Sequence, residues 1–194
     1  LPEVFMPEDF FYLRGAREEM FFKLLQLHFA PNPALVMEWL LDHGMGSSLA
    51  AYGETESTAR TIVRHGTVAL TKWTTGIKRQ IQNCPGHIDL TNSLKRACVT
   101  EDGALLFVHA SVDTTRPLTM QKDQFWWDNG NFNEIKNKFS DFSKVIRGYD
   151  HSNSGIVLNK DYIASIDGGC GRSGKLHAVC FTPDGIKHDE IMSR

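Results

Sequence analysis

The sequence predicts an α/β protein in which one strand is followed by a block of helices and then by a run of strands, so that a sheet is interrupted by a helical cap. Three observations carry this reading. After Ser143 the apolar period is two, in Val145-Ile146 and in residues 156–158, 162–166 and 176–181, which is the spacing of strands. Between Arg17 and Cys98 the period is that of helices. Asp102-Gly103 is a hairpin-type dipeptide that sets Cys98-Val99 beside residues 104–108.

Taken in order, Phe10-Phe-Tyr-Leu is a short apolar run stopped by Arg14-Gly15, as expected of a buried strand ending in a turn. From Arg17 to Phe29 the residues Met20, Phe21, Leu24, Leu25 and His28 form one helical stripe, with Glu18 and Glu19 in the first turn where the helix dipole favours negative charge. Asn32-Pro33 opens the next helix, Asn as cap and Pro at the first helical position. Its apolar face is read as Leu35, Val36, Trp39 and Leu40, and it stops near His43-Gly44. Ser57 is the expected cap of a helix through Thr61, Ile62 and Val63. Residues 67–81 carry Val68, Leu70, Trp73 and Ile77, and Ile88, Leu90, Leu94 and Cys98 suggest one helix more. The strands after Ser143 are joined by Asn159-Lys-Asp and by the glycine-rich residues 168–174.

A chain of 194 residues fits one domain with a helical insertion at about 30–98. The net charge of −2 argues against nucleic-acid binding through broad phosphate neutralisation. No apolar run approaches the ~20 residues needed to cross a bilayer, and the first residues lack the pattern of a signal peptide, so no membrane partner and a cytoplasmic location are expected. Cys84, Cys98, Cys170 and Cys180 lack Cys-x-x-Cys spacing and are read as reduced thiols. The chain begins at Leu1 and enters at once what reads as a mid-domain strand, so it is expected to be a fragment.

His109 ends the apolar run Leu105-Leu-Phe-Val, and His151 sits on the turn Gly148-Tyr-Asp-His-Ser before a strand. A neutral imidazole at a strand end can offer one ring nitrogen to a metal while the other N–H meets a backbone acceptor. The plainer role is a histidine that ends a strand by bonding to loop backbone. Two histidines are also too few, because hydrolytic metal sites usually hold three or more protein ligands. Asp113, Asp150 and Asp167 are the nearby oxygen donors, each in a turn or cap context. Arg14-Gly-Ala-Arg17 lies between a strand and a helix start, where arginines and backbone N–H groups suit a phosphate, although on the residues alone an ordinary strand-to-helix turn with surface charge is the favoured reading. Residues 168–174 have the composition of a phosphate loop but lack the Gly-Lys-Ser/Thr and the helix that would follow it. Phe125-Trp126-Trp127 reads as a loop anchor, Lys72, Lys78 and Arg79 as a solvated helix face, and the other histidines, His87 and His177 among them, as structural or exposed.

The order of these pieces resembles bacterial members of the phosphoprotein phosphatase branch of the calcineurin-like metallophosphoesterases. Phe11-Tyr-Leu-Arg-Gly-Ala-Arg-Glu-Glu-Met is similar to the family's L-R-G-N-H-E segment. Trp39-Leu-Leu-Asp-His-Gly-Met-Gly resembles the bacterial helical cap, and Leu106-Phe-Val-His-Ala resembles F-V-H-A-G. Asp150-His151-Ser152 stands where the family has G-H-T, and Ser165-Ile-Asp-Gly-Gly-Cys-Gly-Arg-Ser-Gly-Lys-Leu-His-Ala-Val is similar to I-S-I-D-T-G-C-x-x-G-G-K-L-x-A-V.

The resemblance implies a four-layer α-β-β-α sandwich, here lacking its N-terminal strands, and a two-metal site using manganese, iron or zinc. In such a site metal-activated water hydrolyses a phosphate monoester of a phosphoprotein or of a small phosphorylated substrate. His109 and His151 would be metal ligands, Arg14 a catalytic clamp on the substrate phosphate, and Arg17 a second substrate-binding cation. The departures are specific. The family's D-x-H and G-D-x-x-D-R-G segments are absent, Ala16 replaces a ligating asparagine, Arg17 replaces a histidine, and Asp150 replaces a glycine. They raise two other readings, a phosphatase-like binding or regulatory module with impaired catalysis, and a dinucleoside polyphosphate hydrolase.

Overall fold

The computed structural model describes residues 9–128, 130–182 and 185–193, the last stretch by its backbone. Seven α-helices and six strands are found among them. Contacts divide the chain into two compact units, Ala16–Leu94 and the residues on either side of it. The helical unit thus begins at Ala16, earlier than the insertion at about 30–98, and takes in the first helix.

That unit is built from α1 (Ala16–Leu25), α2 (Pro33–Asp42), α3 (Met45–Ala51), α4 (Glu56–Arg64), α5 (Thr67–Gln82) and α6 (His87–Ser93). Its core is aliphatic and thioether-rich, with Leu24, Met37, Leu40, Met45, Leu49 and Ile77 fully buried; each stabilises the fold by roughly 1.5–3 kcal/mol. Helix α2 starts as its sequence dictates, the Asn32 carboxamide accepting from the Leu35 N–H at 3.1 Å with Pro33 behind it. Its buried face is Met37, Leu40 and Leu41, whereas Leu35 is 68% and Trp39 39% exposed. The expected face is therefore turned. The segment Pro-Ala-Leu-Val-Met-Glu-Trp-Leu-Leu is apolar nearly all round, so periodicity had no polar face to orient it; Trp39 instead stacks on His43 with ring centroids 4.3 Å apart.

The cap of α4 is Thr55 and not Ser57: the Thr55 hydroxyl accepts from the Thr58 N–H at 3.0 Å. Two candidate caps stood within one turn, and the helix takes the one that lengthens it. Arg60 then clamps α4 to α2, Nε donating to Glu38 at 2.9 Å and Nη1 to Glu56 at 3.0 Å. Between α2 and α3 the chain turns at Gly44, whose φ of +83° is strained for any residue with a side chain. The Arg17 guanidinium closes over that turn, Nη1 donating to the Gly44 carbonyl at 2.5 Å.

The second unit is organised by a four-stranded mixed sheet of order β1 (Ala97–Val99), β2 (Leu105–Val108), β3 (Lys144–Arg147) and β4 (Ile163–Ser165). β1 and β2 form the expected hairpin around Asp102-Gly103, pairing Ala97 with Val108, while β2, β3 and β4 run parallel. Parallel strands are covered on both faces and read as continuous apolar runs, and this sheet conforms. Leu105, Ile146 and Ala164 pack on one face with Phe107 and Phe181, while Leu106, Val108, Val145 and Ile163 are buried as well. The long β2–β3 connection folds through short 3-10 turns and buries Phe125, Trp126 and Phe132. It is an anchored loop, with Arg96 lying 5.3–5.4 Å from the Phe125 and Trp126 rings.

Two strand expectations shrink. Phe10, Phe11 and Tyr12 are each more than half exposed, and of the run only Leu13 bridges to Lys95. The edge available there is that of β1, itself three residues long, which cannot hold a longer partner. Residues 156–158 contribute a single bridge, Val157 to Ser165. A strand absent from the sequence reading, β6 (Gly185–Ser193), pairs antiparallel with β5 (Lys175–Thr182) as a separate ribbon.

The caps give a direct test. Asn32→Ala and Thr55→Ala should each lower stability by about 1 kcal/mol, while Ser57→Ala should stay within about 0.5 kcal/mol, measured by urea denaturation.

Candidate functional site

Because β2, β3 and β4 are parallel, their carboxyl ends lie along one edge of the sheet. His109 follows β2, Tyr149 to His151 follow β3, and Asp167 to Gly169 follow β4. β1 is antiparallel and starts at that same edge, and Arg14 joins it there, its N–H donating to the Lys95 carbonyl at 2.8 Å. Ligands of open parallel sheets bind outside the carboxyl ends of strands, so this edge is the natural place for a site.

Its framework is a buried charge cluster. Arg147, the last residue of β3, is 0% exposed. Its Nε donates to Ser165 Oγ at 3.1 Å and its Nη1 to Asp128 Oδ2 at 2.7 Å. Nη2 stands 2.9 Å from Asp150 Oδ2 as an ion pair, with no hydrogen bond along that line, and the guanidinium carbon lies 4.3 Å from the Phe132 ring centroid. Asp128 Oδ1 accepts from the N–H groups of Gly130, Asn131 and Phe132 at 3.0–3.3 Å. Asp150 is buried and accepts from the N–H and hydroxyl of both Ser152 and Ser154. The Asp150 N–H donates to Asp167 Oδ2 at 2.9 Å, and Asp167 Oδ1 accepts from the Gly169 N–H at 2.8 Å.

Burial alone would raise the Asp150 carboxyl, but the hydrogen bonds from Ser152 and Ser154 and the Arg147 charge outweigh it and hold the group down at about 2. At Gly168 a side chain would collide with the His177 ring, 2.1 Å from where its Cβ would be. The glycine there serves close packing.

The two imidazoles at this edge meet through a residue that the sequence reading passed over. The His109 ring stacks on Tyr149, centroids 5.0 Å apart and planes 7° from parallel, while the Tyr149 hydroxyl lies 3.4 Å from His151 Nδ1. His109 also supplies the carbonyl that accepts from the Gly148 and Tyr149 N–H groups. Arg14 belongs to the sheet unit and Arg17 to the helical unit, where its guanidinium is bound to Gly44. Asp113, Asp150 and Asp167 act as turn residues, each accepting from N–H groups of its own loop.

A two-metal centre does not fit these residues. Among the described residues no three His, Cys, Asp or Glu side chains are grouped to hold a metal ion. Both oxygens of Asp150 and of Asp167 are already engaged by donors, and Tyr149 stands against both imidazoles.

What the sequence reading missed is Arg147 with Asp128, and Tyr149. A faint signal existed, since an arginine closing an apolar strand and an aspartate three residues later is a spacing that lets the two pair. Asp128, far away in the chain, carried none. The chain matches no protein-family model, no curated protein and no solved structure. Among the described residues, no helix is long and apolar enough to cross a membrane.

Two measurements test the cluster. Arg147→Ala leaves two buried carboxylates without their cation and should cost about 3–5 kcal/mol, read by urea denaturation. A carboxyl held below its unfolded value of 3.8 contributes stability that is complete above that pH and is lost as pH falls toward about 2. Removing it with Asp150→Asn should therefore flatten the acid limb of a stability–pH curve by about 2 kcal/mol between pH ~4 and ~2.

Proposed function

We propose that the chain is of the metal-dependent phosphoesterase class, resembling serine/threonine protein phosphatases, and that its own residues supply a phosphate-ester binding edge without a complete hydrolytic centre. One observation supports this above the others. The segments around Arg14, His109, His151 and Ser165 to Gly174 carry the resemblance, lie far apart in the chain, and all fall at the carboxyl edge of the sheet. Shared fold position of this kind is what a grafted site requires, and it does not follow from sequence similarity alone. The four-layer sandwich belongs to the same proposal; the sheet of β1 to β4 with its helical unit is the part of it on which the reading stands.

On this reading Arg14 engages the phosphate as a planar, permanently charged donor, and His109 and His151 stand on the same edge of the sheet. In the phosphoesterase class a pair of manganese, iron or zinc ions would supply the nucleophile by lowering the pKa of bound water. The donors present here do not complete such a pair, so no hydrolytic step is assigned to them. The second reading, a phosphate-binding or regulatory module, is favoured by Ala16, which has no ligating atom, and by Arg17, whose guanidinium serves the Gly44 carbonyl.

The 194-residue chain should bind a phosphoserine peptide more tightly than its unphosphorylated counterpart in calorimetry, with Arg14→Gln removing about tenfold of that affinity. It should leave p-nitrophenyl phosphate near background with manganese present. Equal binding of the two peptides would overturn the proposal. Manganese-dependent turnover that collapses in His109→Ala would replace the binding edge by a working hydrolase.

A further inference from the structure

The helical unit contains a cavity of about 480 Å³ lined only by its own residues. One wall is an aromatic shelf, Phe21 of α1 stacked on Tyr52 with centroids 5.4 Å apart. Ile81 of α5 and Ile88 and Leu90 of α6 line it as well. We propose that this cavity binds a small organic anion with an aromatic or branched aliphatic body, the apolar part lying on the Phe21–Tyr52 shelf and the charge meeting Lys78.

Four features carry the inference. The volume falls in the range of small-molecule sites, roughly 300–1,000 Å³, and such sites pair apolar walls with a few polar groups. Helix α6 has no buried residue, and Ile88 and Leu90, which line the cavity, remain 39% and 51% exposed. The helix is held facing an apolar space that its own unit leaves unfilled. The Tyr52 hydroxyl and His87 Nδ1 are 3.0 Å apart, a polar bond that ties α6 to the shelf and keeps the space open. Finally, the charged residues of the lining are two cations and one carboxylate, Arg17, Lys78 and Glu18. Arg17 is committed to the Gly44 carbonyl, whereas Lys78 has no ion-pair partner among the described residues. A solvated ammonium in the lining of an apolar cavity selects a ligand that is apolar for most of its length and anionic at one end.

The site is independent of the sheet edge, and its test uses a matched pair of probes on the whole chain. 1-Anilinonaphthalene-8-sulfonate is the anion, and N-phenyl-1-naphthylamine is the same aromatic body without the charge. Both should bind saturably at one per chain, with blue-shifted fluorescence. Lys78→Gln should weaken the sulfonate about tenfold and leave the neutral probe within about twofold. Leu90→Glu, which places a carboxylate in the lining, should abolish both. Each variant must keep the parent's circular dichroism and a single cooperative melt; if Leu90→Glu does not, Ile88→Glu takes its place. Non-saturable fluorescence, a Lys78→Gln effect equal on both probes or absent from both, or undiminished binding in the lining variant overturns the proposal.

Discussion

One buried guanidinium holds the carboxyl edge of the sheet together. Arg147 sits at the end of the central parallel strand with no exposure to water, and a charge so placed costs several kcal/mol to desolvate unless partners surround it. Those partners come from elsewhere: Asp128 from the long β2–β3 connection, Asp150 from the turn after β3, Ser165 from the neighbouring strand. Each carboxylate in turn gathers the N–H groups of its own loop. The stretch after β3, rich in glycine and serine, would on composition be a mobile linker. Its order comes from Asp150, which cannot leave without stranding a charge.

This arrangement also explains how a site can exist on an edge made of loops. Tyr149 is next to Asp150, so the residue that meets both imidazoles is fixed by the same anchor. Asp150, beside His151, is thus a structural partner of Arg147. Its hydrogen bonds are made within its own turn, and its charge pairs with that guanidinium. The helical unit is held by different means, caps at Asn32 and Thr55, the Arg60 clamp and a core of leucine and methionine. Its cavity is apolar where the sheet edge is polar.

Much of the architecture was legible in the residues. Asn32-Pro33, Asp102-Gly103 and the apolar runs at 105–108 and 145–146 act through local chemistry, and each element stands where that chemistry puts it. Misreadings came where local information was degenerate. α2 is apolar nearly all round, the hydroxyls of Thr55 and Ser57 compete at the start of α4, and the aromatic run at Phe10 has the composition of a strand without an edge long enough to pair with. The site was legible by position and not by contact. His109 and His151 could be assigned to strand ends, because periodicity reveals where a strand stops, whereas the run before Arg14 makes only the single bridge of Leu13. That Tyr149 stands against both histidines, or that Asp128 reaches Arg147, depends on register between segments many residues apart. Lys78 reads as a solvated helix face and His87 as structural or exposed for a similar reason, since a cavity belongs to no single helix.

Arg17 shows how one long side chain can fasten a turn between two helices. Its guanidinium spans to the carbonyl of Gly44 in the turn between α2 and α3, a left-handed glycine whose missing Cβ leaves room for it. An imidazole is too short to make that bridge and would leave the turn unlatched. Replacing Arg17 with histidine by itself would remove a fastening of the helical bundle. Another side chain is accommodated at 17 only if the junction at Gly44 is rebuilt as well.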